Sequence, residues 1–72
     1  MKQREVGKLI KEIRYEKGLT QAELAKRLGV TPQFISRVEA GLDLFPTSKA
    51  KLLCKKLKES KTFFADAYLV DF

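Results

Sequence analysis

The stretch Gln21-Ala22-Glu23-Leu24-Ala25-Lys26-Arg27-Leu28-Gly29-Val30-Thr31-Pro32-Gln33-Phe34-Ile35-Ser36-Arg37-Val38-Glu39-Ala40 decides the fold. Thr20 precedes it and Glu23 follows three residues later, the spacing of a capping box: a hydroxyl for the orphan N–H groups and a carboxylate that reaches back. A short helix is therefore predicted from Gln21 to Leu28. Gly29 supplies the positive φ that a sharp turn demands. Thr31 as N-cap and Pro32 at the first helical position, where a missing N–H costs nothing, open a second helix that runs to Glu39 or Ala40 and closes at Gly41. Leu24, Leu28, Val30, Ile35 and Val38 fall at inward positions, and Ala25 is small where the second helix crosses. Every constrained place of a helix-turn-helix over residues 21–40 thus holds a suitable residue type.

Two helices so joined cannot bury both apolar faces alone, so the flanks must close the core. From Arg4 to Lys17, Val6, Leu9, Ile10 and Ile13 make the i, i+3, i+4, i+7 stripe of an amphipathic helix, and Gly18 stops it. Pro46-Thr47-Ser48 begins a further helix with Ala50, Leu53, Cys54 and Leu57 on one stripe and Lys49, Lys51, Lys55, Lys56 and Lys58 largely around it. Ser60 to Tyr68 can form a fifth helix, with Phe63, Phe64, Ala67 and Tyr68 covering the bundle. Beyond it, Val70 and Phe72 end that helix, form an extended tail or meet a partner. The expectation is one all-α domain over residues 1–72, a compact five-helix bundle, with residues 61–72 a candidate dimerisation tail.

Composition sets the class of partner. The chain has 72 residues, 44% of them hydrophobic, with four Gly and two Pro, which is sufficient for a folded core. Fifteen Lys and Arg against nine Asp and Glu leave a net charge of +6, and so positive a small domain expects polyanions. The charge is uneven: +3 over residues 1–17, +1 over 18–40, +4 over 41–61 and −2 over 62–72. With no His and one Cys, the usual zinc sites, the Ser-His and Cys-His nucleophile pairs and the histidine acid/base are missing, so no catalytic residue, metal or cofactor is expected. No apolar run approaches a membrane span, and no apolar segment follows the basic N-terminus as a secretory signal would require. A lone Cys fits a reducing cytoplasm.

The segments Ile10-Lys11-Glu12-Ile13-Arg14, Lys17-Gly18-Leu19-Thr20-Gln21-Ala22-Glu23-Leu24-Ala25, Leu28-Gly29-Val30 and Ile35-Ser36-Arg37-Val38-Glu39-Ala40-Gly41 together resemble the lambda-repressor-like, or XRE/Cro-type, helix-turn-helix family over residues 6 to about 57. The resemblance implies five helices, the third lying in the major groove of double-stranded DNA. It also implies a homodimer on a palindromic operator, with half-sites about 34 Å apart. Carried over by position, it places Gln33, Phe34 and Arg37 at the bases: Gln suits adenine N6 and N7, Arg suits guanine O6 and N7, and Phe suits a thymine methyl. It places Gln21, Thr31, Ser36, Thr47, Ser48 and Lys49 at phosphates. Arg14 and Glu39 match an ion pair that ties the first helix to the end of the third. Two positions depart from the family pattern: Pro32 stands where many relatives carry a base-reading Gln, and the loop after Gly41 reads Leu42-Asp43-Leu44-Phe45 where relatives are basic or polar.

The function expected is a sequence-specific, non-enzymatic transcriptional regulator: a phage-type repressor, a restriction-modification controller or an antitoxin-like autorepressor. The rival is a protein-interaction module that engages a toxin or a component of the transcription machinery through Phe34, the Leu42 to Phe45 loop or the acidic tail. Leu42, Leu44 and Phe45 must either be buried under the fourth helix or be shown to a partner. The lysines of that helix read first as a solvated face, and Cys54 as a small core residue.

Overall fold

A computed structural model describes residues 3–59 and Phe64, and among these the only regular elements are helices. They are α1 (Gln3–Glu16), α2 (Gln21–Leu28), α3 (Pro32–Glu39) and α4 (Thr47–Lys56). The fifth helix expected over Ser60 to Tyr68, and the tail beyond it, lie outside the described residues, apart from Phe64, which is buried in the core.

The local chemistry read from the sequence is realised at each joint. Thr20 Oγ1 accepts from the Glu23 N–H at 3.1 Å, and the Thr20 N–H donates to Glu23 Oε1 at 2.9 Å, completing the capping box. The Thr20 N–H first, and the Thr20 side chain after it, hold the exposed Glu23 carboxyl below its ordinary pKa of 4.5. Thr31 Oγ1 accepts from the Phe34 N–H at 3.1 Å and caps α3. Pro46 begins α4 without a side-chain cap.

All four helices end in the same way, with the chain turning through a left-handed residue whose neighbour bonds back across the last turn. Leu19 N–H donates to Arg14 O at 2.8 Å, Val30 N–H to Ala25 O at 3.0 Å, Leu42 N–H to Arg37 O at 2.8 Å and Glu59 N–H to Cys54 O at 2.8 Å. The left-handed position holds Gly18, Gly29 and Gly41 in the first three, but Lys58 at φ 55° in the fourth. Only there does a side chain bear the steric penalty of that conformation.

The core is a single cluster drawn from every helix. Val6, Ile10 and Ile13 of α1 meet Leu24, Ala25 and Leu28 of α2, Ile35 and Val38 of α3, and Ala50, Leu53 and Cys54 of α4, with Leu19, Phe45, Leu57 and Phe64 filling the gaps. Cys54 is thus a core residue, and burial pushes its thiol pKa up. The loop after α3 divides: Phe45 is buried, whereas Leu42 and Leu44 are 63% and 58% exposed.

One packing feature was not anticipated. Gly7 lies on the buried face of α1 where that helix crosses the end of α3, and a Cβ there would run into the Val38 carbonyl oxygen and come within 3.1 Å of Glu39 Cα. The absent side chain therefore sets how closely the third helix approaches the first.

Candidate nucleic-acid interface

The outer surface of α3 is built by subtraction. Ile35 and Val38 face the core, which leaves Gln33, Ser36 and Arg37 exposed along the rest of the helix. Gln33 and Arg37 are four residues apart and therefore neighbours on one face. At the N-terminus, Thr31 uses a lone pair to cap the helix, leaving its O–H proton free to donate to an anion.

Phe34 departs from the expectation of an exposed, groove-facing ring. It is half-buried and packs against the core, stacked on Phe45 with ring centroids 6.3 Å apart and planes 29° from parallel. Phe45 in turn meets Phe64 at 6.5 Å. Phe34 therefore anchors the first turn of α3 and offers only part of its ring to a ligand.

The opposite end of α3 is held by polar groups. Arg14 grips Glu39 with two prongs, Nε to Oε2 at 2.8 Å and Nη2 to Oε1 at 3.0 Å, while its Nη1 donates to the Leu19 carbonyl at 3.1 Å. The two side chains are only 9% and 5% exposed, and Glu39 above all holds the Arg14 pKa above its ordinary value. The Tyr15 ring lies against the guanidinium, 4.7 Å from centroid to Cζ. The ion pair that the family resemblance implies between α1 and the end of α3 is present, and the Leu19 carbonyl and the Tyr15 ring join it.

That network recruits Gln21. Its Nε2 donates to Glu39 Oε1 at 3.1 Å, so the side chain expected on a phosphate gives one of its two amide protons to the protein. Gln21 thereby joins the start of α2 to the end of α3, and only its second amide proton is open to a phosphate.

The α4 start lies on the far side of the Leu42 to Phe45 loop. Thr47 and Ser48 are exposed and Lys49 is half-exposed. With no side-chain cap, the N–H groups of Thr47 and Ser48 point out of the helix, in a geometry that suits an anion. The other lysines of α4, Lys51, Lys55 and Lys56, stand in solvent.

Residue reasoning missed Asp43 as a functional candidate. Its Oδ2 accepts from Arg37 Nε at 2.9 Å, so the arginine expected to read a base has an intramolecular partner. The available signal was a lone acidic residue shortly beyond a helix-ending glycine, in an otherwise basic segment.

A capped, tightly turned helix pair that is clamped at both ends and presents exposed polar side chains along its second member defines a DNA-binding helix-turn-helix protein. The profile of the helix-turn-helix family matches residues 10–64, and the chain belongs to that family. Its fold is similar to the crystal structure of a point mutant of the restriction-modification controller protein C.Esp1396I, with 32% identity and a TM-score of 0.77 over 92% of this chain and 84% of that one. No curated protein sequence matches the chain. The protein is a DNA-binding transcriptional regulator, and no helix among the described residues is long and apolar enough to cross a membrane.

Proposed function

We propose that the chain is a sequence-specific regulator of the restriction-modification controller type, which binds a palindromic operator as a homodimer in the cytoplasm and inserts α3 into the major groove. The observation that carries this reading is the pairing of Gln33 and Arg37 on the exposed face of a helix whose other end is fixed by the Arg14, Glu39 and Gln21 network. Side chains that discriminate bases must be held in register, and a two-pronged ion pair with little access to water supplies that rigidity. Thr31, Ser36, the open N–H groups at Thr47 and Ser48, Lys49 and the remaining Gln21 proton grip phosphates on either side. Likeness to a controller protein supports the biological class.

Leu42 and Leu44, both exposed on the loop, are the apolar contact between copies. The same pair also suits the alternative reading, a contact with a toxin or a transcription-machinery protein. No catalysis is assigned: the chain has no His, and its one Cys is buried.

The test is fluorescence polarisation of Arg37→Ala and Gln33→Ala against DNA selected from a random duplex pool, at stated salt. Each substitution should weaken binding to the selected site by about 1 to 3 kcal/mol, with a steep loss of affinity as salt rises. Unchanged affinity and site preference in both variants would refute the assignment. Sedimentation of Leu42→Glu with Leu44→Glu tests the dimer, and an unaltered dimer would move that contact elsewhere.

A further inference from the structure

We infer that Asp43 is a positioning residue that makes Arg37 a selective reader of guanine rather than a general binder of phosphate; the inference rests on α3 reading the major groove. The placement comes from the backbone. Gly41 takes the left-handed conformation, and the Leu42 N–H bonds to the carbonyl of Arg37 itself at 2.8 Å. The chain is thereby folded back over the last turn of α3, and the next residue, Asp43, arrives beside the Arg37 side chain. Its carboxylate Oδ2 accepts a hydrogen bond from the Arg37 Nε–H, with 2.9 Å between nitrogen and oxygen.

A guanidinium has two usable forks, one made by Nε with a terminal nitrogen and one made by the two terminal nitrogens. With Nε engaged, the first fork is closed and the second remains, carrying a fixed pair of donors suited to guanine O6 and N7. The pair is exposed, at 55% for Arg37 and 36% for Asp43, so it adds little to stability, and its consequence lies in where the arginine can point. Charge acts in the same direction. Asp43 is the only acidic residue between Glu39 and Glu59 in a segment rich in lysine. Its negative charge beside Arg37 weakens the attraction of that guanidinium for a phosphate without removing a guanine's acceptors.

Asp43→Ala removes both the acceptor and the charge, whereas Asp43→Asn keeps an oxygen that can still accept from Nε and removes the charge alone. Binding to the duplex selected by the native chain, and to random duplex of the same length, is measured for both variants, for Arg37→Ala and for Arg37→Ala with Asp43→Ala, with the fold checked by circular dichroism. Asp43→Ala should lower the ratio of selected to random affinity about three- to tenfold and steepen the slope of log affinity against log salt on random duplex by about 0.9, one extra phosphate contact. Asp43→Asn should keep most of the ratio but tighten random binding. In the Arg37→Ala background, Asp43→Ala should leave the ratio unchanged. If Asp43→Ala alters neither ratio nor slope while Arg37→Ala lowers the ratio, the positioning role is overturned and the recognition helix stands. If Arg37→Ala itself leaves the ratio unchanged, Arg37 does not read a base and both assignments fall.

Discussion

Replacing Glu39 with Ala should be among the most damaging single changes in this protein, although it removes a charged residue near the surface. Glu39 accepts three hydrogen bonds, two from Arg14 and one from Gln21. Without it the Arg14 guanidinium, 9% exposed, loses its carboxylate, keeps the Leu19 carbonyl and the Tyr15 ring, and has little access to water. Stranding one member of a buried pair costs about 3 to 5 kcal/mol; the partial exposure of Gln21, whose amide can rehydrate, favours the lower part of that range. A chain of 72 residues has roughly 4 to 11 kcal/mol of total stability, so the loss is about a quarter of it or more. Thermal unfolding followed by circular dichroism should show a fall of roughly 15 to 25 °C. The control is Arg14→Met with Glu39→Met, which removes both charges and should recover most of the loss, because well-packed apolar residues often replace a buried pair without penalty. The double variant should still bind DNA with poorer discrimination, since α3 has lost the clamp at its end. A loss below about 1 kcal/mol for Glu39→Ala, or no recovery in the double variant, would refute the view of this pair as a desolvated clamp.

Gly7→Ala should destabilise by about 2 kcal/mol in urea titrations, because overpacking against fixed backbone outweighs the better helix propensity of Ala; unchanged stability would mean that α1 and α3 separate more easily than their contact implies. Lys58→Gly should raise stability by up to about 1 kcal/mol, read as a higher melting temperature, by relieving the one left-handed non-glycine residue among those described. Because the Glu23 carboxyl is held below its ordinary pKa, the unfolded chain takes up that proton first. Its stabilising effect is complete above about pH 5 and fades as pH falls through the folded value. Glu23→Gln should therefore flatten the decline in melting temperature between about pH 5 and pH 3, and equal slopes in both proteins would exclude a role for this cap.

Local elements were legible because their causes are local. Thr20 and Glu23, Gly29, Thr31 with Pro32, and Gly41 each act on backbone within a few residues, and the bounds of α2 and α3 follow from them. The apolar stripes of α1 and α4 were equally readable from their helical period. The Arg14 and Glu39 pair was reached only through family resemblance, since 25 residues separate its members and nothing in their spacing joins them.

What residue order alone determined about this protein is therefore its class: amphipathic helices, two of them opened by the caps Thr20 and Thr31, a turn that must be sharp, and a positive charge that calls for a polyanion. The tertiary structure decided how the surface is shared out. Phe34 was turned inward because Phe45 stands ready to stack on it, Gln21 was drawn to Glu39, and the Leu42 to Phe45 loop was split between core and solvent. Gly7 became a point where α1 passes too close to α3 for a side chain, and Asp43 met Arg37 across a turn. Each outcome depends on distances between segments, and those are set only when all four helices pack into one core. A capping box needs only its own few residues, whereas a side chain with two available partners chooses between them according to where the rest of the chain has put them.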